Sequence, residues 1–288
     1  MTRASRCASF RARRARATAF PRFMRALVFF GRFPRSGRCK TRLGRALADF
    51  DASAAIYREL VALALARSRD LGDVAFACAD ASDVASCREM MEDIARECAL
   101  TTVPVVLEQT QSSDLGERMV RAMEERYASG AKACVVVGTD VPDFTSAIAL
   151  EAFALIERES VNDAGDDVTC DVAFGRARDG GFYCVGARSE ACAALRSAFA
   201  NVRWSARDTL ERCVENCQRL GLRTNVQTLP ELIDVDDVED LDAWFASAKA
   251  DDEERARVRR CEDIARACRA RLRVEMTRKD AAPDVNAS

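Results

Sequence analysis

Two clusters of side chains in this sequence are suited to chemistry, one cationic and one anionic. The first lies in Gly31 to Gly44, GRFPRSGRCKTRLG, directly after the apolar run Ala26-Leu27-Val28-Phe29-Phe30. It carries five cations, Arg32, Arg35, Arg38, Lys40 and Arg42, beside Gly31 and Gly37. Cations grouped beside exposed backbone N–H donors suit a phosphate-bearing ligand. The loop is not a Walker A motif, because Arg38 and Cys39 separate Gly37 from Lys40. Alone, it reads equally as a solvated basic turn leading into a helix. The second cluster is Gly138-Thr139-Asp140-Val141-Pro142-Asp143. Asp140 follows a strand-like run and precedes a proline-fixed turn, which places a carboxylate where it can hold a divalent cation. Magnesium prefers one or two carboxylates completed by phosphate oxygens and water. Asp143 and Thr145 read instead as caps of the next helix.

Further candidates are weaker when taken singly. In Asp234-Val235-Asp236-Asp237-Val238-Glu239-Asp240, Asp236 precedes a helix and is a candidate second metal ligand. Asp237 and Glu239 need do no more than complement the macrodipole. Asp179-Gly180-Gly181 reads as a type I′ hairpin turn, whose two glycines also let a sugar or base approach the backbone. Asp114-Leu115-Gly116-Glu117-Arg118 puts Gly116 in a helical first turn, with N–H donors exposed. Trp204-Ser205 reads as a helix entry with Ser205 as the N-cap, and Trp204 suits either the core or an acceptor site. Histidine is absent from the chain, which excludes Ser-His-Asp and Cys-His catalysis and imidazole metal ligands. The thirteen cysteines form no CxxC pair and read as small buried residues in a reducing compartment.

The elements that must position these residues alternate. Residues 26–30, 74–79, 103–107 and 134–137 read as buried strands, with Pro104 pushing the third towards an edge. Helical spacing marks residues 51–69, with Asp51 or Ser53 as cap, and residues 83–98, 114–127 and 146–159. Two strands, 172–174 and 182–185, flank Asp179-Gly180-Gly181. A helix at 205–220, a short strand at 225–229 and a helix at 237–248 close the series. Alternation predicts an α/β fold, a three-layer α/β/α sandwich around a mainly parallel sheet. Ligands bind such sheets beyond the carboxyl ends of the strands, where both Gly31 and Asp140 fall.

Composition sets the limits. The chain has 288 residues and 49% hydrophobic content, enough for one large domain with tails. It has no apolar run long enough for a membrane span. Residues 1–23 hold seven arginines and no acid, and the first acidic residue is Asp49. That composition matches a transit peptide, or an extension upstream of Met24. The expected location is a chloroplast or mitochondrion if it is a transit peptide, and the cytoplasm otherwise. Without it the net charge is about −9, which argues against nucleic acid as a partner. Residues 24–248 are then expected to form the folded domain. Residues 249–288 form a tail in which 251–276 has an apolar stripe at Val258, Cys261, Ala265, Cys268 and Leu272. That helix is expected to be a solvated appendage, with packing or self-association as alternatives.

The segments GRFPRSGRCKTRLG, DLGERM, VVVGTDVPDF, DGGFYCVG, WSARDTL and DVDDVEDL resemble, in order, the motifs of an uncharacterised glycosyltransferase-like family, the radical-SAM/selenodomain-associated transferases. These belong to the nucleotide-diphospho-sugar transferase superfamily with the GT-A fold, and they are similar to cofactor guanylyltransferases. The resemblance spans about residues 24–248. It implies a divalent cation, Mg2+ (or Mn2+), on Asp140, to which the reading above adds Asp236 as second ligand, and donor-phosphate contacts from Arg32, Lys40 and Arg42. It also implies an acceptor side near Asp179, Gly180, Gly181 and Trp204. The chain departs from the best-known GT-A enzymes in having one carboxylate at Gly138-Thr139-Asp140 rather than a DxD triad. The expected function is a metal-dependent transferase using a nucleotide sugar and an unidentified small-molecule acceptor, with Lys40 and Asp179 catalytic. The alternatives are nucleotidylyl transfer from a nucleoside triphosphate to a phosphorylated acceptor, and a non-catalytic nucleotide-binding protein. Phe33 and Pro34 count against the former, standing where sugar nucleotidylyltransferases use glycines.

Overall fold

The apolar runs become strands because helices cover both faces of the sheet they form. The computed structural model describes residues 24–157, 170–248 and 251–280. The expected transit segment, the last residues of the predicted 146–159 helix and the chain end beyond 280 lie outside them. In chain order, β1 (Arg25–Gly31) leads through α1 (Thr41–Ala46) and α2 (Phe50–Ala66) to β2 (Asp73–Cys78). Next come α3 (Val84–Glu97), β3 (Val105–Glu108), α4 (Leu115–Ala128), β4 (Ala133–Gly138) and α5 (Ser146–Ile156). The second half holds β5 (Val172–Arg176), β6 (Phe182–Arg188), α6 (Cys192–Phe199), α7 (Thr209–Arg219), β7 (Thr224–Asn225), α8 (Val238–Ser247) and α9 (Asp252–Asp280).

The strands make one seven-stranded sheet in the order β3-β2-β1-β4-β6-β5-β7. Pairing is parallel from β3 through β2 and β1 to β4, and again between β5 and β7. Strand β6 runs antiparallel to both of its neighbours. Period-two alternation divides the side chains into two layers. Leu27, Phe29, Val135 and Val137 pack with α2, α3 and α5, whereas Ala26, Val28, Cys134 and Val136 pack with α4, α6 and α7. The order reverses at β1, so the crevice between the carboxyl ends of β1 and β4 is the topological switch point. Gly31 and Asp140 meet there.

The expected edge position of residues 103–107 holds, with the strand beginning after Pro104. The described cysteines are buried and free of disulfides. Several boundaries differ from expectation for identifiable reasons. Helix α2 is capped by Asp49, which accepts from the Ala52 N–H at 2.8 Å, rather than by Asp51 or Ser53. Ser205 is not an N-cap: its φ is 60°, in the left-handed region, whereas a cap residue is extended. Helix α7 therefore starts at Thr209. The expected strand at 225–229 shortens to Thr224–Asn225 because the Asn225 side chain accepts from the Gln227 and Thr228 N–H groups and turns the chain. Strands β5 and β6 are joined by five residues, 177–181, so this is not a two-residue I′ hairpin. Helices α1 and α6 were not expected from spacing.

The C-terminal helix is not a solvated appendage. Its stripe of Val258, Cys261, Ala265 and Cys268 is buried against Ile56, Leu60 and Leu63 of α2, with Leu241 and Trp244 of α8 completing the cluster. Glu59 of α2 receives both Arg257 and Arg260 at 2.9 Å. Burying a Val-sized side chain contributes about 1.5–3 kcal/mol and the smaller Cys and Ala less, while most of the helix's charged side chains stay exposed.

Candidate functional site

Lys40 is the centre of the site, and its backbone is unusual before its side chain is considered. It occupies the N-cap position of α1 with φ 44° and ψ 47°, a left-handed conformation that costs a non-glycine residue about 1–2 kcal/mol. This conformation sends the side chain inward. Only 5% exposed, the ammonium donates to Asp140 Oδ2 at 2.8 Å and to Asp236 Oδ1 at 2.6 Å. It also lies 5.8 Å from the centre of the Tyr57 ring. Burial works against its charge, but the two facing carboxylates outweigh burial and hold the amine above its ordinary range.

The two aspartates come from distant parts of the chain and are aligned by backbone contacts. The Val235 N–H donates to the Asp140 carbonyl at 2.9 Å, locking the segment before α8 onto the end of β4. A capping box then fixes that segment: Asp237 accepts from the N–H groups of Glu239 and Asp240, and Asp240 Oδ2 accepts from those of Asp236 and Asp237. Such a cap contributes about 1 kcal/mol and sets the entry angle of the helix. Asp143 pairs with Arg67, and Thr145 caps α5 by accepting from the Ile148 N–H.

Gly31 has a steric reason to be glycine. A Cβ there would meet Thr139 Oγ1 at 2.7 Å and the Tyr57 hydroxyl at 2.8 Å. Those two hydroxyls are hydrogen-bonded to each other at 2.6 Å, and the Tyr57 oxygen accepts the Arg32 N–H. Burial pushes the Tyr57 phenol up to about 12, so it stays protonated as a floor for the loop. Gln109, 2% exposed, completes that floor by donating to the carbonyls of Gly31 and Ala77 and accepting from Arg118.

Above this floor opens a cleft of about 660 Å³, lined by Gly31, Arg32, Gly37, Arg38, Lys40 and Arg118, with Asp140 and Asp236 on its wall. Arg35 turns aside to Asp83, and Arg38 and Arg32 face Asp80 at 3.7 and 3.4 Å. Arg118 keeps a buried Nε without a hydrogen-bond partner. Burial, and then the charge of Arg32, hold Arg118 below its ordinary range. Two cations facing each other with an unmet N–H are complementary to an anion. Arg42, by contrast, is exposed and does not line the cleft.

A second cavity, about 220 Å³, shares Asp140 with the first. Asp179, Gly181, Asp234, Phe182 and Trp204 are among its walls. Phe182 and Trp204 meet edge to face at 6.3 Å. Gly116 does not present N–H groups to the cleft: a Cβ there would strike Phe199 and Trp204 at 2.6 Å, so the residue's role is to seat the Trp204 ring. Gly180 adopts φ 93°, and a Cβ on it would lie 2.0 Å from the Arg207 carbonyl, which ties the 177–181 turn to the loop carrying Trp204. Asp179 Oδ1 accepts the Gly181 N–H at 2.8 Å. Burial, then the carboxylates of Asp179 and Asp140, push Asp234 up to about 7.

The structure therefore gathers Gly31, Arg32, Gly37, Lys40, Arg118, Asp140 and Asp236 in one cleft, and Asp179, Gly181 and Trp204 in the adjoining cavity. Sequence reasoning missed Tyr57, Gln109 and Asp234 as site residues. Gln109 had a signal, a polar residue just past an apolar strand, and Asp234 stood within the acidic run. Tyr57 lay off the predicted helical stripe and had none.

The carboxylates of Asp140 and Asp236 converge on a point that already holds a cationic group, and their hard oxygens suit magnesium. No cluster of three or more His, Cys, Asp or Glu side chains suited to a metal exists among the described residues. The remaining ligands of a cation held here would be donor phosphate oxygens and water.

Residues 62–206 match the model of a family described as "Uncharacterized protein conserved in bacteria (DUF2064)". That segment includes Gln109, Arg118, Asp140, Asp179 and Trp204 and leaves Lys40 and Asp236 outside. Among solved structures, the chain is similar to a "putative nucleotide-diphospho-sugar transferase" from Desulfovibrio desulfuricans G20. The identity is 26%, covering 85% of this chain and 98% of that one, with a TM-score of 0.67. More distant likenesses are to the homologue of Mycobacterium tuberculosis rv0371c from Mycobacterium sp. strain JC1 and to a cytidylyltransferase from Leptospira borgpetersenii serovar Hardjo-bovis. The first has 14% identity, covers 79% of this chain and 98% of that one, and has a TM-score of 0.46. The second has 12% identity, covers 87% and 96%, and has a TM-score of 0.46. No curated protein matches the chain. The fold is that of the nucleotide-diphospho-sugar transferases.

Proposed function

The chain belongs to the DUF2064 family, and from that premise we propose that it is a divalent-metal-dependent glycosyltransferase using a nucleoside-diphosphate sugar. The observation that carries this reading is the Lys40 ammonium held between Asp140 and Asp236 at the rim of a cationic cleft. The similarity to the Desulfovibrio protein supports the same class of donor.

In this reading Arg32, Lys40 and Arg118 bind the donor diphosphate, and Asp140 with Asp236 would hold magnesium or manganese. The cation, when bound, supplies charge neutralisation on the departing diphosphate. Asp179 accepts the acceptor's proton as the acceptor oxygen bonds to the anomeric carbon. The bond from that carbon to the diphosphate oxygen breaks, and the nucleoside diphosphate leaves with the electron pair. Lys40 and Arg32 meet the charge that develops on it. Nucleotidylyl transfer would ask the same loop to neutralise a triphosphate. Arg35 is already paired with Asp83, and Asp80 offsets Arg32 and Arg38, which matches the smaller load of a diphosphate.

The test incubates the full chain with magnesium and panels of nucleoside-diphosphate sugars and nucleoside triphosphates. Thermal stabilisation by a sugar nucleotide, with slow release of nucleoside diphosphate, is expected. Stabilisation by a triphosphate alone, with pyrophosphate released in the presence of a phosphorylated acceptor, would overturn glycosyl transfer. Binding without turnover would leave a nucleotide-binding protein.

A further inference from the structure

The two cavities that meet at Asp140 differ in sign, and that difference bears on the acceptor. The cleft is lined by Arg32, Arg38, Lys40 and Arg118. Among the described residues, the smaller cavity is lined by Asp140, Asp179 and Asp234 and by no lysine or arginine. Its remaining walls are largely apolar, with the rings of Phe30, Phe182, Tyr183 and Trp204 among them. Arg178, next to Asp179 in the chain, lies 3.8 Å from Glu231, and the exposed Arg203 and Arg207 are not among the lining residues.

We propose that this cavity is the acceptor subsite and that it takes a non-anionic acceptor, an alcohol or amine on a small partly apolar skeleton, and excludes phosphorylated acceptors. The proposal rests on the glycosyltransferase reading for the word acceptor, but the charge preference belongs to the cavity itself. A carboxylate pair accepts hydrogen bonds from hydroxyl or ammonium groups, and the aromatic walls take the apolar face. A phosphate entering the same space would meet acidic side chains, Asp179 foremost, with no lysine or arginine among the described lining residues, and like charges in a partly desolvated site repel. The cavity's volume, about 220 Å³, admits a monosaccharide-sized or single-ring compound and excludes a dinucleotide. Lys40 reaches Asp140 and Asp236 from the cleft side and offsets their charge there, so the negative charge of the cavity wall is centred on Asp179.

The chain has two tryptophans. Trp244 is enclosed in the core, at 1% exposure, so its fluorescence is a constant background, and Trp204 reports on the cavity. Full-length protein would be titrated with benzyl alcohol, benzylamine and phenyl phosphate, which share a ring and differ in charge. The expected result is a Trp204 response to the alcohol and the amine, with phenyl phosphate at least about tenfold weaker. The Trp204→Phe variant should lose the signal, and Asp179→Asn should narrow the discrimination to about threefold or less. Phenyl phosphate binding as tightly as the neutral ring overturns the proposal, and so does the absence of any response that Trp204→Phe abolishes. The relative responses to alcohol and amine identify the nucleophile. No donor is needed, so failure of the sugar-nucleotide panel with the charge preference intact refutes the donor reading and leaves the cavity's assignment standing. Donor turnover stimulated best by phosphorylated acceptors refutes the cavity and leaves the donor reading.

Discussion

The cationic cleft and the acidic-aromatic cavity share one carboxylate, Asp140, yet the chain builds them by different means. The cleft is assembled close to the sheet, from the end of β1, the end of β4 and one buried lysine in a strained conformation. Lys40, Arg32 and Arg38 face named carboxylates, Arg118 keeps one buried N–H unmet, and Tyr57, Thr139 and Gln109 form a hydrogen-bonded floor. The cavity is walled by the 177–181 turn and the 201–208 loop, which hold each other through the close approach of Gly180 to Arg207. Specific binding of a small charged group calls for a preorganised rigid site, whereas acceptor choice is made by loops that can vary without disturbing the sheet. In the proposed reading, donor chemistry and acceptor choice are separable except along the shared wall of Phe30, Leu115 and Asp140, where Asp140 is the charged point.

Replacing that point should give the largest effect. Asp140→Ala removes one of the two carboxylates that converge on the Lys40 ammonium and the wall common to both cavities. Turnover should fall at least about a thousandfold, by analogy with loss of a principal electrostatic group, and magnesium should no longer tighten sugar-nucleotide binding in calorimetry. Unchanged metal dependence would put the cation elsewhere. Lys40→Met separates the two functions of its position. One charge-assisted hydrogen bond lost is about 1.5–3 kcal/mol, so turnover should drop roughly 10–100-fold. In the absence of nucleotide, however, magnesium should bind Lys40→Met more tightly than wild type, because the ammonium no longer competes for Asp140 and Asp236. Weaker magnesium binding in that variant would mean the lysine helps to shape the metal site rather than to fill it.

How far this arrangement was legible in the sequence follows the same division. The sheet and most helices could be read because β1, β2 and β4 contain short apolar runs and α3 and α4 carry regular stripes. Lys40 and Asp236 were found within concentrations of like charge at a strand end and before a helix, and Asp140 as a carboxylate at the tip of an apolar strand. Their mutual contact was not readable, since it spans 100 and 196 residues and depends on the left-handed turn at Lys40, which no local signal announces. Gly116 was assigned to N–H exposure when the cause is packing of Trp204, a contact between residues far apart in sequence. The burial of α9 was missed because its stripe of Val, Cys and Ala is only weakly apolar, and Glu59, which draws two arginines of that helix, lies far away on α2.

On the cavity side, Gly180→Ala should act through position rather than chemistry. The residue's φ is 93°, and an added methyl would lie 2.0 Å from the Arg207 carbonyl. A strained left-handed alanine alone costs about 1–2 kcal/mol, and the loop bearing Trp204 must also move away. Acceptor KM should rise about tenfold, which is the order of effect expected from such a displacement, while sugar-nucleotide affinity stays within about twofold. Equal losses on both sides would show that the turn supports the cleft as well, and the separation drawn above would fail.

The smallest effect tests the boundary of the cleft. Arg42 and Arg118 were both candidates for the donor phosphates, but their surroundings are opposite. Arg118 lines the cleft with a buried Nε lacking a partner, whereas Arg42 is exposed on α1 and lies outside it. An anion that meets the unmet donor of Arg118 gains a charge-assisted hydrogen bond, so Arg118→Ala should weaken sugar-nucleotide binding roughly tenfold. A solvated arginine interacts across high dielectric and within a Debye length of about 8 Å at physiological salt, so Arg42→Ala should change the same affinity by less than about twofold. Raising the salt concentration should erase even that small change and leave most of the Arg118 effect. If the two substitutions weaken binding equally, the donor extends over α1 and the cleft is larger than the residues that line it here.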